Sequence, residues 1–380
     1  MKYLYQQHQQ YFAQTSTGIE SLAAEELTEL GATQVKPVIR GVIFQADNAT
    51  LYRINYGARL VMRVIAPLIK FECTHPERLY QQTKKINWSH FFQLDQTFAV
   101  FANVSRSRIR HSQYAGLKVK DAIADSFRER YRQRPNVNPH HPDVWVNVHI
   151  HNDIARLGID TSGGSLHQRK YRQQAVHAPM QETLAAAIIR LSQWDGSVPL
   201  YDPMCGSGTL LAEALMHYCR IPAGLLREKF GFEQLPDFDQ QVWHQVEAEA
   251  NQQMRQLPQG RIQGSDIDPT AIQISKTNLR QLPEGRKITL ARRDFRELPG
   301  IPQAVIVCNP PYGIRLGKYQ DLIPFYQEFG TFLREKCAGS TAYIYTGDPK
   351  LVRYLGLKKT WQKKLNNGKI KGILTKFYIY

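Results

Sequence analysis

The fold is clearest at Tyr201-Asp202-Pro203-Met204-Cys205-Gly206-Ser207-Gly208-Thr209, a glycine-rich turn between an apolar strand and a helix. Its two glycines allow the backbone to turn sharply and to approach a ligand closely. The helix beginning near Thr209 presents free N–H groups to that turn. Leu211 stands where a G-x-G-x-x-G motif has its third glycine, and no Gly-Lys-Ser/Thr follows. A dinucleotide or nucleoside triphosphate is therefore disfavoured, and a purely structural turn remains the alternative.

The sequence around this turn alternates between apolar strands and helices. A helix is predicted over 180–194, and strands over 199–201, 261–265, 288–291 and 304–308. This alternation is typical of a doubly wound α/β domain with a mostly parallel sheet. The interval before the second strand is long, and we attribute it to an inserted helical segment at about 221–259.

The first half predicts an α+β region instead. We predict a strand over 11–14, a helix over 19–30 and two strands over 35–39 and 41–44. This order implies a small antiparallel sheet with helices on one face. We then predict a strand over 97–104, a helix over 114–131, a proline-rich loop over 134–142 and two strands over 144–151 and 154–159. The small-residue stretch 161–165 suggests a boundary. We therefore predict an N-terminal region over 1–163, a linker over 164–178 and a second domain over 179–380.

Carboxylates follow the second and third predicted strands of the α/β domain. Asp266 ends its strand and can accept hydrogen bonds from both hydroxyls of a ribose, whereas Asp268 can instead cap the next helix. Asp294 follows the third strand and can similarly meet an adenine amino group. The alternative is that Asp266 and Asp268 both serve only to cap a helix.

The most specific element is Val305-Ile306-Val307-Cys308-Asn309-Pro310-Pro311-Tyr312-Gly313. Four apolar residues predict a buried strand, and two prolines end it in a rigid loop where ligands bind in this architecture. The Asn309 side-chain oxygen and the Pro310 carbonyl can accept both hydrogen bonds of one exocyclic amino group. Tyr312 can stack on the base that carries this group. Held in this way, the nitrogen lone pair localises towards an electrophile.

Composition favours a polyanionic partner. Lys and Arg outnumber Asp and Glu by 49 to 33, which gives a net charge of +16 and a pI near 9.6. Nucleic acid is the first partner to consider, and a solvated basic surface is the alternative. The basic candidates for RNA binding are Arg106, Arg108, Arg110, Lys118, Lys120 and Arg128.

Other classes of protein are disfavoured by the sequence. No apolar stretch approaches the ~20 residues of a membrane span, and the first residues lack the apolar core of a secretory signal. The five cysteines are scattered and form no C-x-x-C pair. We therefore expect neither a metal site nor a disulfide framework, and a cytoplasmic location.

These motifs resemble class I S-adenosylmethionine-dependent methyltransferases that modify exocyclic amines. HAPMQETLAAAII (177–189) and LHQRKYR (166–172) are most similar to the bacterial large-subunit ribosomal RNA guanine-N2 methyltransferases. GLKVKDAIADSFRER (116–130) resembles the THUMP module of that family, expected over about 45–158, and LNNGKIKGILTKFYIY (365–380) resembles its tail. The chain departs from the family at Arg169-Lys170, where arginine-glycine is usual. This departure concerns the shape of the linker.

The resemblance implies a Rossmann-like methyltransferase domain preceded by a ferredoxin-like and THUMP RNA-binding region. The residues implied for S-adenosylmethionine are Asp202, Pro203, Cys205, Gly206, Ser207, Gly208, Thr209, Asp266, Asp294 and Thr183. Those implied for the target base are Asn309, Pro310, Pro311 and Tyr312. Guanine N2 of 23S ribosomal RNA is the favoured substrate. We expect the protein to need neither a membrane nor an obligate protein partner. Adenine-N6 methylation, guanine-N2 methylation of tRNA, and an RNA-binding protein without catalysis remain alternatives.

Overall fold

The computed structural model describes residues 2–175, 179–312, 319–368 and 370–380. The chain divides into two compact units. The first comprises Met1–Thr15, Ala23–Leu166 and Arg227–Ala248, and the second comprises Ser16–Leu22, His167–Leu226 and Glu249–Tyr380. The boundaries that we predicted at 163 and at 178 stay a prediction.

The first unit is built on one eight-stranded sheet. Its strands are β1 (Gln10–Thr15), β2 (Thr33–Val38), β3 (Gly41–Gln45), β4 (Val61–Glu72), β5 (Thr97–Ser105), β6 (Asn136–Val137), β7 (Val144–His151) and β8 (Ile154–Asp160). The helices in this part of the chain are α1 (Leu4–His8), α2 (Glu20–Glu29), α3 (Asn48–Gly57), α4 (Pro76–Lys84) and α5 (Ser112–Tyr131). The strand order is β2-β3-β1-β4-β8-β7-β5-β6.

We predicted a small antiparallel sheet, but the sheet of the first unit has eight strands. The long strand β4 pairs with β1 on one side and with β8 on the other, so both halves of the unit share a single sheet. That sheet is mixed, since β5 runs parallel to β7 and to β6. The strand β6 lies within the segment 134–142, which we had predicted to be a loop.

The second unit contains a seven-stranded sheet in the order β11-β10-β9-β12-β13-β15-β14. Its strands are β9 (Leu200–Asp202), β10 (Ile262–Asp266), β11 (Thr289–Arg292), β12 (Val305–Cys308), β13 (Thr341–Thr346), β14 (Lys359–Asn367) and β15 (Ile370–Tyr378). The remaining helices of the chain are α6 (Glu182–Ser192), α7 (Thr209–Tyr218), α8 (Gln240–Gln252), α9 (Pro269–Leu279) and α10 (Tyr319–Lys336).

The first five strands of this order are parallel, as predicted for a doubly wound domain. Their carboxyl ends therefore meet at one side of the sheet, which we call the carboxyl edge. Ligands bind at this edge in open α/β sheets. The antiparallel hairpin of β14 and β15 extends the sheet beyond β13 and was not predicted.

Aromatic packing explains why residues 227–248 fold with the first unit. Phe232 stacks on Tyr52 of α3 with ring centroids 4.4 Å apart, and Trp243 of α8 meets Tyr56 of α3 at 5.3 Å. Buried aromatic pairs of this kind dominate local packing energies. The insertion predicted as helical over 221–259 is thus α-helical only over α8. None of the described helices is long and apolar enough to cross a membrane.

Candidate active site

The turn between β9 and α7 depends on two glycines in the left-handed backbone conformation. Gly206 has φ +53° and Gly208 has φ +79°. A Cβ on Gly208 would lie 3.0 Å from Ser275 Oγ of α9, which itself donates to the Gly206 carbonyl at 2.6 Å. Both the backbone conformation and the close approach of α9 therefore require glycine here. We call residues 203–208 the glycine turn.

Two acidic side chains lie beside the glycine turn at the carboxyl edge. Asp266 Oδ2 accepts the N–H of Gly206 at 2.9 Å. Asp202 is buried, and its Oδ1 accepts the N–H of Met204 at 3.1 Å. Burial, with a contribution from the nearby Asp266, raises the pKa of Asp202 to about 8, and burial also raises the pKa of Asp266. A ligand that brings an ammonium group and hydroxyl donors complements this pair of carboxyls.

The other two predicted carboxylates already have partners. Asp268 caps α9, and its Oδ1 accepts the N–H of Thr270 at 2.8 Å. Asp294 follows β11 as expected, but its Oδ1 accepts the Arg296 N–H at 2.9 Å and its Oδ2 lies 2.8 Å from the Arg296 guanidinium. Its contact with an adenine therefore stays a prediction.

Arg172 connects the segment before α6 to the start of α7. Its Nη2 donates to Thr209 Oγ1 at 3.1 Å and to the Met180 carbonyl at 2.8 Å, and its Nε lies 3.1 Å from Glu182 Oε1. Thr183 is buried next to this ion pair, and its hydroxyl forms no hydrogen bond within the described residues. Sequence reasoning gave Arg172 no role, although it lies in the family-like LHQRKYR segment.

Asn278 of α9 joins the glycine turn to residues 173–174. Its Oδ1 accepts the N–H groups of Gln173 and Gln174 at 2.9 and 3.1 Å. Its Nδ2 donates to the carbonyls of Gln174 and Ser207 at 2.9 and 3.1 Å. The buried side chain thereby uses its full hydrogen-bonding capacity. Sequence reasoning missed this residue, because its only signal was a polar position on the inner side of a helix.

The segment Asn309-Pro310-Pro311-Tyr312, which we call the amine loop, leaves β12 at the carboxyl edge. It follows Cys308, whose thiol pKa is raised by burial and by the nearby Asp202 and Asp266 carboxyls. Asn309 Oδ1 is buried and accepts no hydrogen bond from any described residue. Leaving a buried acceptor unsatisfied costs about 1–3 kcal/mol, so this atom is suited to a ligand N–H.

Two tyrosines fix the amine loop. The Tyr326 hydroxyl donates to the Pro311 carbonyl at 3.2 Å. Tyr312 is only 7% exposed, and a Cβ on Gly347 would lie 2.4 Å from its Cε2. The ring therefore packs on the backbone after β13 and lies deeper than we expected for a residue that stacks on a base. That stacking role stays a prediction, and the following Gly313 lies outside the described residues, as do His177 and Ala178 of the 177–189 motif.

The six predicted RNA-binding residues lie in the first unit, exposed or half-buried. Three of them form ion pairs: Arg108 with Asp153 at 3.8 Å, Lys120 with Asp121 at 3.1 Å, and Arg128 with Asp125 at 3.0 Å. The Lys118 ammonium lies 5.8 Å from the Tyr114 ring centroid. Arg106 and Arg110 have no acidic partner among the described residues. The net positive charge available at this surface is therefore smaller than the sequence suggests.

Comparison with known proteins gives three matching domain families. The RMKL-like methyltransferase domain matches residues 169–376, the THUMP domain residues 73–160, and the RlmL ferredoxin-like domain residues 10–65. A Synechocystis protein named "Putative RNA methyltransferase" is 40% identical over 97% of both chains. The ribosomal RNA large subunit methyltransferase K/L of Vibrio campbellii is 42% identical over 94% of this chain, which spans only 52% of that relative. The crystal structure of SMU.472 complexed with SAH has a TM-score of 0.86 at 29% identity and covers 98% of both chains.

Proposed function

Because the chain belongs to the RMKL-like methyltransferase family and carries a THUMP domain, we propose that it methylates guanine N2 in large-subunit (23S) ribosomal RNA. S-adenosylmethionine is its cofactor. The THUMP domain and the names of two relatives support RNA as the substrate. The choice of guanine N2 rests on the resemblance of the sequence motifs to guanine-N2 enzymes.

The carboxyl edge fits this cofactor. At Gly208 the glycine turn has little room for a side chain, and we assign the methionine part of the cofactor to residues 202–209. Asp266 is assigned to the ribose hydroxyls and Asp294 to the adenine. The raised pKa of Asp202 indicates a carboxyl that lacks a cationic partner until a ligand brings one.

No covalent enzyme intermediate is required. S-adenosylmethionine supplies a methyl group on a sulfonium, which is already an activated leaving group. The thiols nearest the site belong to Cys205 and Cys308, and both are buried. Burial raises the pKa of each thiol well above its usual value, so neither is a thiolate nucleophile at neutral pH.

The unsatisfied Asn309 Oδ1 is the observation that carries the proposal. It offers an acceptor to one N–H of an exocyclic amine, and the Pro310 carbonyl offers a second. With both N–H bonds held, the nitrogen lone pair is directed away from the acceptors. Catalysis then comes mainly from positioning in a site that excludes water. The target base has to leave its stack to reach this loop.

The proposal is tested with tritiated S-adenosylmethionine and separate pools of unmodified ribosomal RNA, tRNA and DNA, followed by nucleoside mass spectrometry. We expect N2-methylguanosine in 23S RNA. Asn309→Ala removes the acceptor and should lower transfer about 100-fold or more, because a small loss of alignment has that effect. Its affinity for S-adenosylmethionine should stay nearly unchanged. Asn309→Asp is the matched variant, since it keeps an acceptor oxygen and should lose less activity.

Each other outcome contradicts a different part of the proposal. N6-methyladenosine, or label found only in tRNA, would overturn the target and leave the chemistry of the amine loop intact. Bound cofactor without transfer to any pool would contradict RNA methylation. Equal loss of transfer and cofactor affinity in Asn309→Ala would show that Asn309 is structural.

A further inference from the structure

The end of the methyltransferase unit carries a concentration of positive charge. Residues 349–380 contain nine Lys and Arg and no Asp or Glu. Four lysines on or beside the β14–β15 hairpin are exposed: Lys358, Lys359, Lys364 and Lys371. None of these four has an acidic partner among the described residues, unlike three of the six cations predicted to bind RNA in the first unit. Uncompensated charge of this kind attracts a polyanion.

The tip of this hairpin reaches the edge of the sheet that carries the site. In β15, Ile373 pairs with Thr346, the last residue of β13. Because β15 runs antiparallel to β13, its first residues, 370–372, lie past the carboxyl end of β13. The tip is also anchored, since the Gln181 N–H donates to Asn367 Oδ1 at 3.0 Å and the Gly368 N–H donates to Gln181 Oε1 at 3.2 Å. Gln181 immediately precedes α6, so the tip is fixed beside the start of the helix that carries Thr183, a residue we expect at the cofactor.

Two of the exposed lysines share one face of the hairpin near this tip. Lys364 lies opposite Ile373, and Lys371 lies opposite Asn366. Residues that pair across strands share a face, and side chains alternate along each strand. Lys364 and Lys371 are therefore diagonal neighbours on one face, with Cα atoms about 7–8 Å apart. We call these two residues the lysine face.

We propose that the lysine face binds the phosphate backbone of the RNA substrate beside the target nucleotide. This inference rests on the proposed function and adds a contact between the RNA and the second unit. A base that leaves its stack needs its backbone held close to the site. Two ammonium groups at the carboxyl edge provide such a hold, and each phosphate contact releases bound counterions.

The test compares Lys364→Gln/Lys371→Gln with a control variant, Arg280→Gln/Arg286→Gln. Both control residues are exposed, and they lie next to β11 at the opposite end of the same sheet. Strand spacing places the two edge strands roughly 29 Å apart. The two variants thus remove the same charge from one unit at different places. Lys364→Arg/Lys371→Arg keeps the charge and serves as the rescue.

Affinity for 23S RNA transcribed in vitro is measured between 50 and 200 mM KCl, with single-turnover methyl transfer at saturating S-adenosylmethionine. Loss of two phosphate contacts should reduce the slope of log affinity against log salt by about 1.5. Transfer at limiting RNA should fall roughly 10-fold, in line with the lost affinity. The control and the arginine variant should resemble the wild type, and all variants should bind S-adenosylmethionine equally well.

An unchanged salt slope in Lys364→Gln/Lys371→Gln would overturn the inference. An equal loss in the control variant, or no rescue by arginine, would overturn it as well. If the wild type transfers no methyl group to any RNA, the proposed function fails and this inference fails with it. If the wild type transfers normally and the glutamine variant matches it, only the lysine face is wrong.

Discussion

Asp202, which we propose to bind the cofactor, lowers the stability of its own domain as the pH rises. The side chain is 1% exposed, and its pKa is raised to about 8. A carboxyl whose pKa rises on folding holds its proton more tightly in the folded chain. Its contribution to stability is therefore complete below the unfolded value near 3.9 and is lost as pH rises towards 8.

Asp202→Asn keeps the acceptor oxygen and cannot ionise, so it should flatten this pH dependence. Between pH 5.5 and 7.5 the wild type should lose about 1.4 kcal/mol of stability per pH unit, whereas the variant should not. The melting temperature of the variant minus that of the wild type should therefore rise by about 3–5 °C per pH unit. Thermal melts at three pH values measure this difference. Asp195→Asn is the control, because Asp195 is exposed and its pKa is lowered by its hydrogen bonds to Ser197. Parallel profiles for wild type and Asp202→Asn would contradict the buried neutral carboxyl.

Among the elements, α9 does more than its sequence indicated. The predicted helix and its Asp268 cap are present, and the inner side of the helix also holds the glycine turn through Ser275 and Asn278. Asn278 makes four hydrogen bonds to groups in two other segments. The helix therefore positions the glycine turn, to which we assign the cofactor, and we propose Asn278 as a positioning residue.

Asn278→Ala should weaken S-adenosylmethionine binding about 10-fold and lower the melting temperature by several degrees. The bond to the Ser207 carbonyl is buried, and an unsatisfied buried group costs about 1–3 kcal/mol. The groups of Gln173 and Gln174 are exposed enough to bond to water instead. Isothermal calorimetry and thermal melts measure both effects. Thr277→Ala is the matched control on the same helix, because Thr277 is half-buried and its hydroxyl donates to the Gln273 carbonyl within the helix itself. Unchanged cofactor affinity in Asn278→Ala would show that the turn keeps its shape without this contact.

The elements that sequence predicted well are those set by local pattern. The parallel strands are short apolar runs, and the family resemblance that their motifs suggested is confirmed. The β14–β15 hairpin was not predicted, because its place is set by pairing with β13. Arg172 and Asn278 were missed for the same reason, since their roles arise from partners distant in sequence.

At the scale of the whole molecule, the net charge of +16 is unevenly distributed. Ion pairs neutralise Arg108, Lys120 and Arg128 in the first unit, whereas residues 349–380 contain no acidic residue. Total charge predicted the class of partner, but local pairing determines which cations are available to it. Both units nevertheless contribute exposed cations, so RNA binding should respond to salt as a property of the whole chain.

RNA affinity of the wild type should therefore fall steeply with salt. About five phosphate contacts give a slope of about −3.5 to −4.5 on logarithmic axes, which is a loss of at least about 100-fold between 50 and 200 mM KCl. Filter binding with unmodified ribosomal RNA measures the slope. S-adenosylmethionine affinity over the same range is the internal control and should change less than about twofold, because Asp202, which we assign to this cofactor, is buried and its electrostatic interactions are little screened by salt. A flat RNA response would mean that the positive charge is only a solvated surface. A parallel loss of cofactor affinity would instead point to salt acting on the fold.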